Sequence, residues 1–109
     1  MVNYSQRRLD LSFGALAHPI RRGILARLST GEATISELAK PFKVSAPAIS
    51  KHMRILEEAG LVSHRKEGRE RHCRLEAKRM REAERWLEDH RRFWNDRFDA
   101  LERYLKENP

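Results

Sequence analysis

Between positions 45 and 54 the chain reads SAPAISKHMR, and between 65 and 71 it reads RKEGRER. In the first stretch Ile49 and Met53, with Leu56 one turn on, recur at helical spacing and mark a buried stripe. At 100° per residue the opposite face carries Pro47, Ser50, Lys51 and Arg54. Ser50 and Lys51 supply a hydroxyl and an ammonium that can hydrogen-bond a base edge or a phosphate. Ala46 and Pro47 supply small apolar surfaces of the kind that meet a thymine methyl. Ser45, Ala46, Pro47, Ser50 and Lys51 sit at the helix start, the end that reaches base edges when a helix enters a major groove. Arg54, a turn further on, suits a phosphate. His52 flanks the buried stripe and has two readings, a contact to the nucleic-acid backbone or a half-buried polar residue of the domain itself. The second stretch puts Arg65, Lys66, Arg69 and Arg71 around one glycine, a pattern suited to phosphates along a groove. Taken alone, such a stretch reads first as a solvated surface; attached to the helix before it, it reads as a DNA contact.

These side chains need elements to aim them. Leu11, Phe13, Leu16 and Ala17 predict a short first helix, stopped near His18-Pro19, after a polar, flexible leader of residues 1–8. Pro19 suits the first turn of a second helix, whose Ile20, Ile24, Leu25 and Leu28 form an apolar stripe ending near Gly31. Gly23 falls inside that helix at a cost of about 1 kcal/mol, which points to a neighbour packed closely against it. Thr34-Ile35-Ser36-Glu37 has the form of a capping box for a third helix, and Pro41 must end it. Phe42 and Val44 then lie in a turn. Ser45 is an N-cap for the fourth helix, which Gly60 ends. Two short helices joined by a tight turn make a helix-turn-helix. Leu61 to Leu75 reads as a β-hairpin turning at Glu67-Gly68, with Val62, Cys73 and Leu75 facing inward. A basic hairpin directly after such a helix pair is a wing. From Ala77 to Lys106 there is no glycine or proline, so a last helix of about 30 residues, about 45 Å long, is expected.

The charge distribution agrees with a polyanionic partner. The 109 residues carry a formal net charge of +7. Residues 1–42 hold 6 basic and 3 acidic side chains, residues 43–75 hold 8 and 4, and residues 76–109 hold 9 and 9. The excess therefore lies with the helix pair and the hairpin, and the last helix is a balanced, charge-laced surface. No apolar run is long enough to span a membrane and the first residues lack an apolar leader. The single cysteine excludes an intrachain disulfide and suits the cytoplasm.

The stretch ALAHPIRRGILARLSTGEATISELAKPFKVSAPAISKHMRILEEAGLVSHRKEGRERHCRL closely resembles the arsenic-repressor-like (ArsR/SmtB-type) winged-helix regulators. The similarity is carried by ALAHPIRRGIL, by SAPAISKHMRILEEAGLV and by the wing RKEGRERHCRL, over about residues 12–75. The resemblance implies a mainly α fold with a small β-hairpin wing, in the order α1-α2-β1-α3-α4-β2-β3-α5, forming a homodimer. It also implies repression by binding an inverted-repeat operator in double-stranded DNA, usually relieved by an effector. The sequence departs from the metal-sensing branches. The third-helix stretch Ile35-Ser36-Glu37-Leu38-Ala39 has no cysteine pair, and the last helix has one histidine, His90 beside Asp89. No metal and no cofactor are expected. Cys73 shares a hairpin face with Leu75 and reads as a small buried residue; a redox sensor needs an accessible thiolate of low pKa.

On the last helix Met80, Ala83, Leu87, His90, Trp94, Phe98, Leu101 and Leu105 recur at three- and four-residue steps, and Trp86, Phe93 and Tyr104 widen the stripe. One small core cannot cover so wide a stripe. The expected cover is a second copy of this helix, together with Leu11, Phe13 and Leu16 of the first. The chain is thus divided into the leader 1–8, a winged domain 9–75 and a dimerisation helix 76–109. Aromatic side chains along the seam could also line a pocket for a small-molecule effector, although dimer packing explains each of them. Two other readings are a protein-interaction or antitoxin-like module and a non-specific architectural DNA-binding protein. Enzymatic chemistry has no support, because there is neither a glycine-rich phosphate loop nor a Cys/His nucleophile–base pattern.

Overall fold

Five helices and a three-stranded antiparallel sheet follow one another in a computed structural model that describes residues 4–108. The elements are α1 (Tyr4–Leu16), α2 (Pro19–Leu28), β1 (Ala33–Thr34), α3 (Ile35–Ala39), α4 (Ala46–Glu58), β2 (Val62–Glu67), β3 (Glu70–Leu75) and α5 (Ala77–Glu107). Their order is the one the family resemblance implies, with a single 3₁₀ turn, Lys40–Phe42, added between α3 and α4.

Local chemistry sets most of the boundaries. α2 begins at Pro19, and the His18 imidazole caps it by accepting from the Ile20 amide. Thr34 and Glu37 form the expected capping box. The Thr34 hydroxyl accepts from the Glu37 amide at 3.2 Å, and the Glu37 carboxylate accepts from the Thr34 amide at 3.3 Å. The Thr34 hydroxyl also donates to the Glu37 carboxylate at 3.0 Å, and this bond first, then the one from the Thr34 amide, holds the Glu37 carboxyl below the usual carboxylate range. The 3₁₀ turn closes on Lys43, which takes a left-handed backbone (φ 54°). Ser45 caps α4 by accepting from the Ala48 amide. α4 ends on Gly60 (φ 75°), where the Leu61 amide reaches the Leu56 carbonyl and the Gly60 amide reaches that of Glu57. This is a Schellman stop, and it drives Leu61 into the core.

The sheet order is β1-β3-β2. β2 pairs with β3 from Val62↔Leu75 to Glu67↔Glu70. The loop is therefore Gly68-Arg69, one residue later than the Glu67-Gly68 turn expected from sequence. Gly68 supplies the positive φ (64°) at the first loop position, where a two-residue hairpin loop needs it. This register pairs Cys73 with His64 on β2 and with Ala33 on β1, and buries its side chain.

The core lies between α2, α3, α4 and the sheet, around Ile24, Leu38, Ile49, Met53, Leu56, Leu61 and Cys73. Two findings differ from the sequence reading at the ends of the chain. α1 already begins at Tyr4, inside the segment read as a flexible leader, and Arg8 forks onto Glu82 of α5 at 2.9 and 3.1 Å. Residues 1–3 of that leader lie outside the described residues. The inward side of α1 is Ser12 and Ala15, whereas Leu11 is exposed, Leu16 packs against the core and Phe13 meets Trp86 edge to face at 5.8 Å. α5 is 31 residues long and buries only Ala83, with Met80 packed against the core. Leu87, Trp94, Phe98, Leu101 and Leu105 are all about half exposed or more.

Candidate nucleic-acid interface

The start of α4 and the tip of the β2–β3 hairpin face a common groove. Thr34 at the end of β1, Ile35 and Ser36 from α3, Ala46, Pro47 and Ser50 from α4, and Arg69, Glu70 and Arg71 from the wing line a cavity of about 310 Å³. Arg71 closes its floor by donating from Nη2 to the Ser50 hydroxyl at 2.7 Å. This bond ties the wing to the reading helix across 21 residues. It also changes what Ser50 can do: its oxygen already accepts from a guanidinium, which leaves its proton free to donate to an acceptor in the groove.

The sequence-predicted residues divide by the state of their side chains. Ser45, Ala46, Pro47, Lys51 and Arg54 are exposed along α4. Among the described residues, Lys51, Arg54, Lys66 and Arg69 have no carboxylate within ion-pair distance. Arg65 does not share that freedom. It donates to Glu32 at 2.7 Å and lies 3.5 Å from Glu67, an arrangement that braces the wing against the segment before β1. The Arg65 hydrogen bond is the leading reason the Glu32 carboxyl lies below its usual range. The wing thus carries three braced cations, Arg65, Arg71 and Arg74 (the last 3.0 Å from Glu76), and two free ones, Lys66 and Arg69. Free cations can release counterions when they meet phosphate without first breaking an internal pair.

His52 stands apart from the groove. It is half-buried on the α2 side of α4, with its ring 4.5 Å from that of His18 and its Nδ1 3.2 Å from Arg21 Nη1. Of its two readings, the structure shows the contacts of the internal one. Arg21, Glu32 and Ser36 are residues that sequence reasoning missed. Ser36 offered a signal as the exposed polar position of the short α3; Arg21 and Glu32 offered none, because their partners lie 31 and 33 residues away.

Cys73 has no exposed surface, and burial, with Glu57 nearby, pushes its thiol up to about 11. The reactive form is the thiolate. The native protein is therefore expected to resist a thiol-specific reagent at pH 7.5 for hours and to react within minutes once unfolded in urea. Complete labelling of the native protein within minutes would contradict the burial. Among the described residues no three His, Cys, Asp or Glu side chains are grouped so as to hold a metal ion, and no helix is long and apolar enough to cross a membrane.

A family model described as a helix-turn-helix domain matches residues 16–65. The HTH-type transcriptional regulator Rv2034 of Mycobacterium tuberculosis is 40% identical over 70 residues, which are 64% of this chain. The chain spans 65% of the length of that relative. The transcriptional repressor SdpR of Bacillus subtilis is 32% identical over 69% of this chain and 83% of its own length. A crystal structure of the ArsR family transcriptional regulator RHA00566 superposes with a TM-score of 0.78 at 42% identity, over 87% of this chain and 97% of that one.

Proposed function

Because this chain belongs to the ArsR family of DNA-binding transcriptional regulators, we propose that it represses transcription as a homodimer bound to an inverted-repeat operator. The observation that carries this reading is the shared groove where Ser50 of α4 meets Arg71 and the unpaired Arg69 of the wing, with Lys51, Arg54 and Lys66 exposed on the same two elements. α4 enters the major groove by its N-terminal end. Lys51, and Ser50 oriented by Arg71, address base edges, with Ala46 and Pro47 beside them. Arg54, Lys66 and Arg69 meet phosphates, and Arg65 acts as a brace for the wing. The second subunit binds through the uncovered face of α5, so that two copies of α4 lie about 34 Å apart, one turn of DNA. A control signal that tilted one subunit against the other would spoil that spacing.

The test is selection of duplexes from a randomised pool by the purified protein, followed by titration of the enriched duplex at several salt concentrations. An inverted repeat with half-sites one helical turn apart is expected, with affinity falling steeply as salt rises. Lys51→Ala should reduce discrimination between the selected duplex and a random one by about 1–3 kcal/mol. Arg69→Ala should weaken binding to both alike and lower the salt slope by about one. Equal affinity of the wild type for selected and random duplexes would instead identify an architectural DNA-binding protein.

A further inference from the structure

The contacts of His52 lead to a part of the molecule outside the groove. Arg21 lies on α2 and makes three contacts in different directions. Its Nε donates to the Ala15 carbonyl at 2.7 Å, its Nη2 to the Gly14 carbonyl at 3.4 Å, and its Nη1 to His52 Nδ1 at 3.2 Å. The two carbonyls belong to the C-terminal end of α1, the helix that packs along α5. His52 belongs to α4. One guanidinium therefore fastens the end of α1 to the reading helix.

A guanidinium has five N–H donors and no acceptor. The Arg21–His52 bond requires that Nδ1 of His52 carry a lone pair, so the ring is neutral with its proton on Nε2. The same argument holds for His18. Its Nδ1 accepts from the Ile20 amide at 3.1 Å, so that ring too is neutral with its proton on Nε2. The two rings are in contact, and the groups that bear on the charge of His52 are His18, the N-cap of α2, and Arg21 on that helix. Its neighbour on α4, Lys51, is also a cation. A proton added to Nδ1 of His52 displaces the Arg21 bond and sets two cations against each other.

We propose that Arg21 is a positioning residue for DNA recognition, holding α4 at its working angle to the α1–α5 body through neutral His52, so that protonation of His52 releases the reading helix. Burial is the leading reason that the His52 pKa lies below the ordinary imidazole value, as this arrangement requires. The sign of the linkage follows. The DNA-competent arrangement disfavours the proton, so its advantage is complete above the ordinary histidine pKa and is lost as pH falls through the lowered one. A histidine that touched phosphate would show the reverse, since its charged form would bind better.

The proposal rests on the reading of α4 as the recognition helix, and two measurements separate the two. In the free protein, nitrogen-15 imidazole spectra at pH 7.5 should show His52 and His18 as Nε2–H tautomers, with His52 protonating below the ordinary range. An Nδ1–H tautomer at His52 would overturn the joint without any reference to DNA. Affinity is then measured on the duplex selected by the wild type, at pH 7.5 and 5.5 and fixed salt. The wild type should bind several-fold more weakly at pH 5.5, and less than tenfold, because its His52 pKa already lies below the ordinary value in the free protein. His52→Gln keeps an acceptor for Arg21 without a titrating ring, and the ratio between the two pH values should fall to about two or less. Arg21→Lys cannot span the α1 carbonyls and His52 at once, and should lower affinity for the selected duplex at pH 7.5 with little change on a random duplex. An unchanged pH ratio in His52→Gln, or tighter wild-type binding on acidification that His52→Gln removes, would refute the proposal. If no duplex is enriched, the DNA-binding reading fails, and the tautomer spectra still decide the joint.

Discussion

Leu101→Asp is expected to leave the protein monomeric in sedimentation equilibrium at micromolar concentration and to lower its affinity for the selected duplex by at least about 100-fold. Leu101 is 54% exposed in a single chain and lies beyond the part of α5 that packs on the core, so the substitution removes no contact within one subunit. The stability of the protomer should therefore be nearly unchanged, and a far-ultraviolet spectrum should stay helical. What the carboxylate damages is the seam. Leu87, Trp94, Phe98, Leu101 and Leu105 are exposed along one stripe, with Phe93 and Tyr104 beside it. A contiguous apolar face of this extent marks an interaction surface. At about 25 cal/mol per Å² its burial against a second copy is the largest source of stabilisation still available to the chain. An unpaired carboxylate within it costs several kcal/mol on burial. The effect on DNA follows by geometry. Two reading helices on one dimer bind as a linked pair, and a monomer loses the effective concentration that the link supplies. A dimer that survived Leu101→Asp would place the interface elsewhere. A monomer that kept full affinity would remove the dimer from recognition.

Which parts of this arrangement could be read from sequence depended on the range over which each one is determined. Thr34 and Glu37, Ser45, and Gly60 act within one helical turn, so their types and spacing located the ends of α3 and α4. The stripe of Ile49, Met53 and Leu56 is periodic, and its burial and the face opposite followed from 3.6 residues per turn. The hairpin loop was off by one residue, because the positive φ of Gly68 fits either side of a two-residue loop until the strand register is fixed. On α1 the apolar side chains Leu11 and Phe13 drew attention away from the inner face. That face is made of the small residues Ser12 and Ala15, which let α1 approach closely. The pairs Arg71–Ser50, Arg65–Glu32 and Arg21–His52 join residues 21 to 33 apart. They sort the basic residues into braced and free, and no local pattern encodes that sorting. His52 shows the same limit, since one face of one helix could not decide between a phosphate and α2.

Gly23→Ala is expected to destabilise the protein by about 1–2 kcal/mol, lowering its melting temperature by about 5–10 °C. Helix propensity alone predicts the opposite, because alanine in a helix interior is favoured over glycine by about 1 kcal/mol. Packing decides the sign. A Cβ at position 23 would sit 2.6 Å from both Cε1 and Cζ of Phe42, well inside contact distance. Phe42 lies on the 3₁₀ turn between α3 and α4 and packs against the core. To make room the ring must leave the surface of α2 and expose apolar area, or the turn must move. The turn has little freedom, since it is bounded by Pro41 and by the left-handed Lys43. Any movement of that segment carries Ser45 and the start of α4 with it, so affinity for the selected duplex should fall beyond what the loss of stability explains. Phe42→Leu removes the ring atoms in question, and adding it to Gly23→Ala should recover part of both losses, a coupling that a double-mutant cycle reads directly. A rise in melting temperature for Gly23→Ala would mean that the ring yields freely, and that the turn between the two helices is held by the remaining core rather than by this contact.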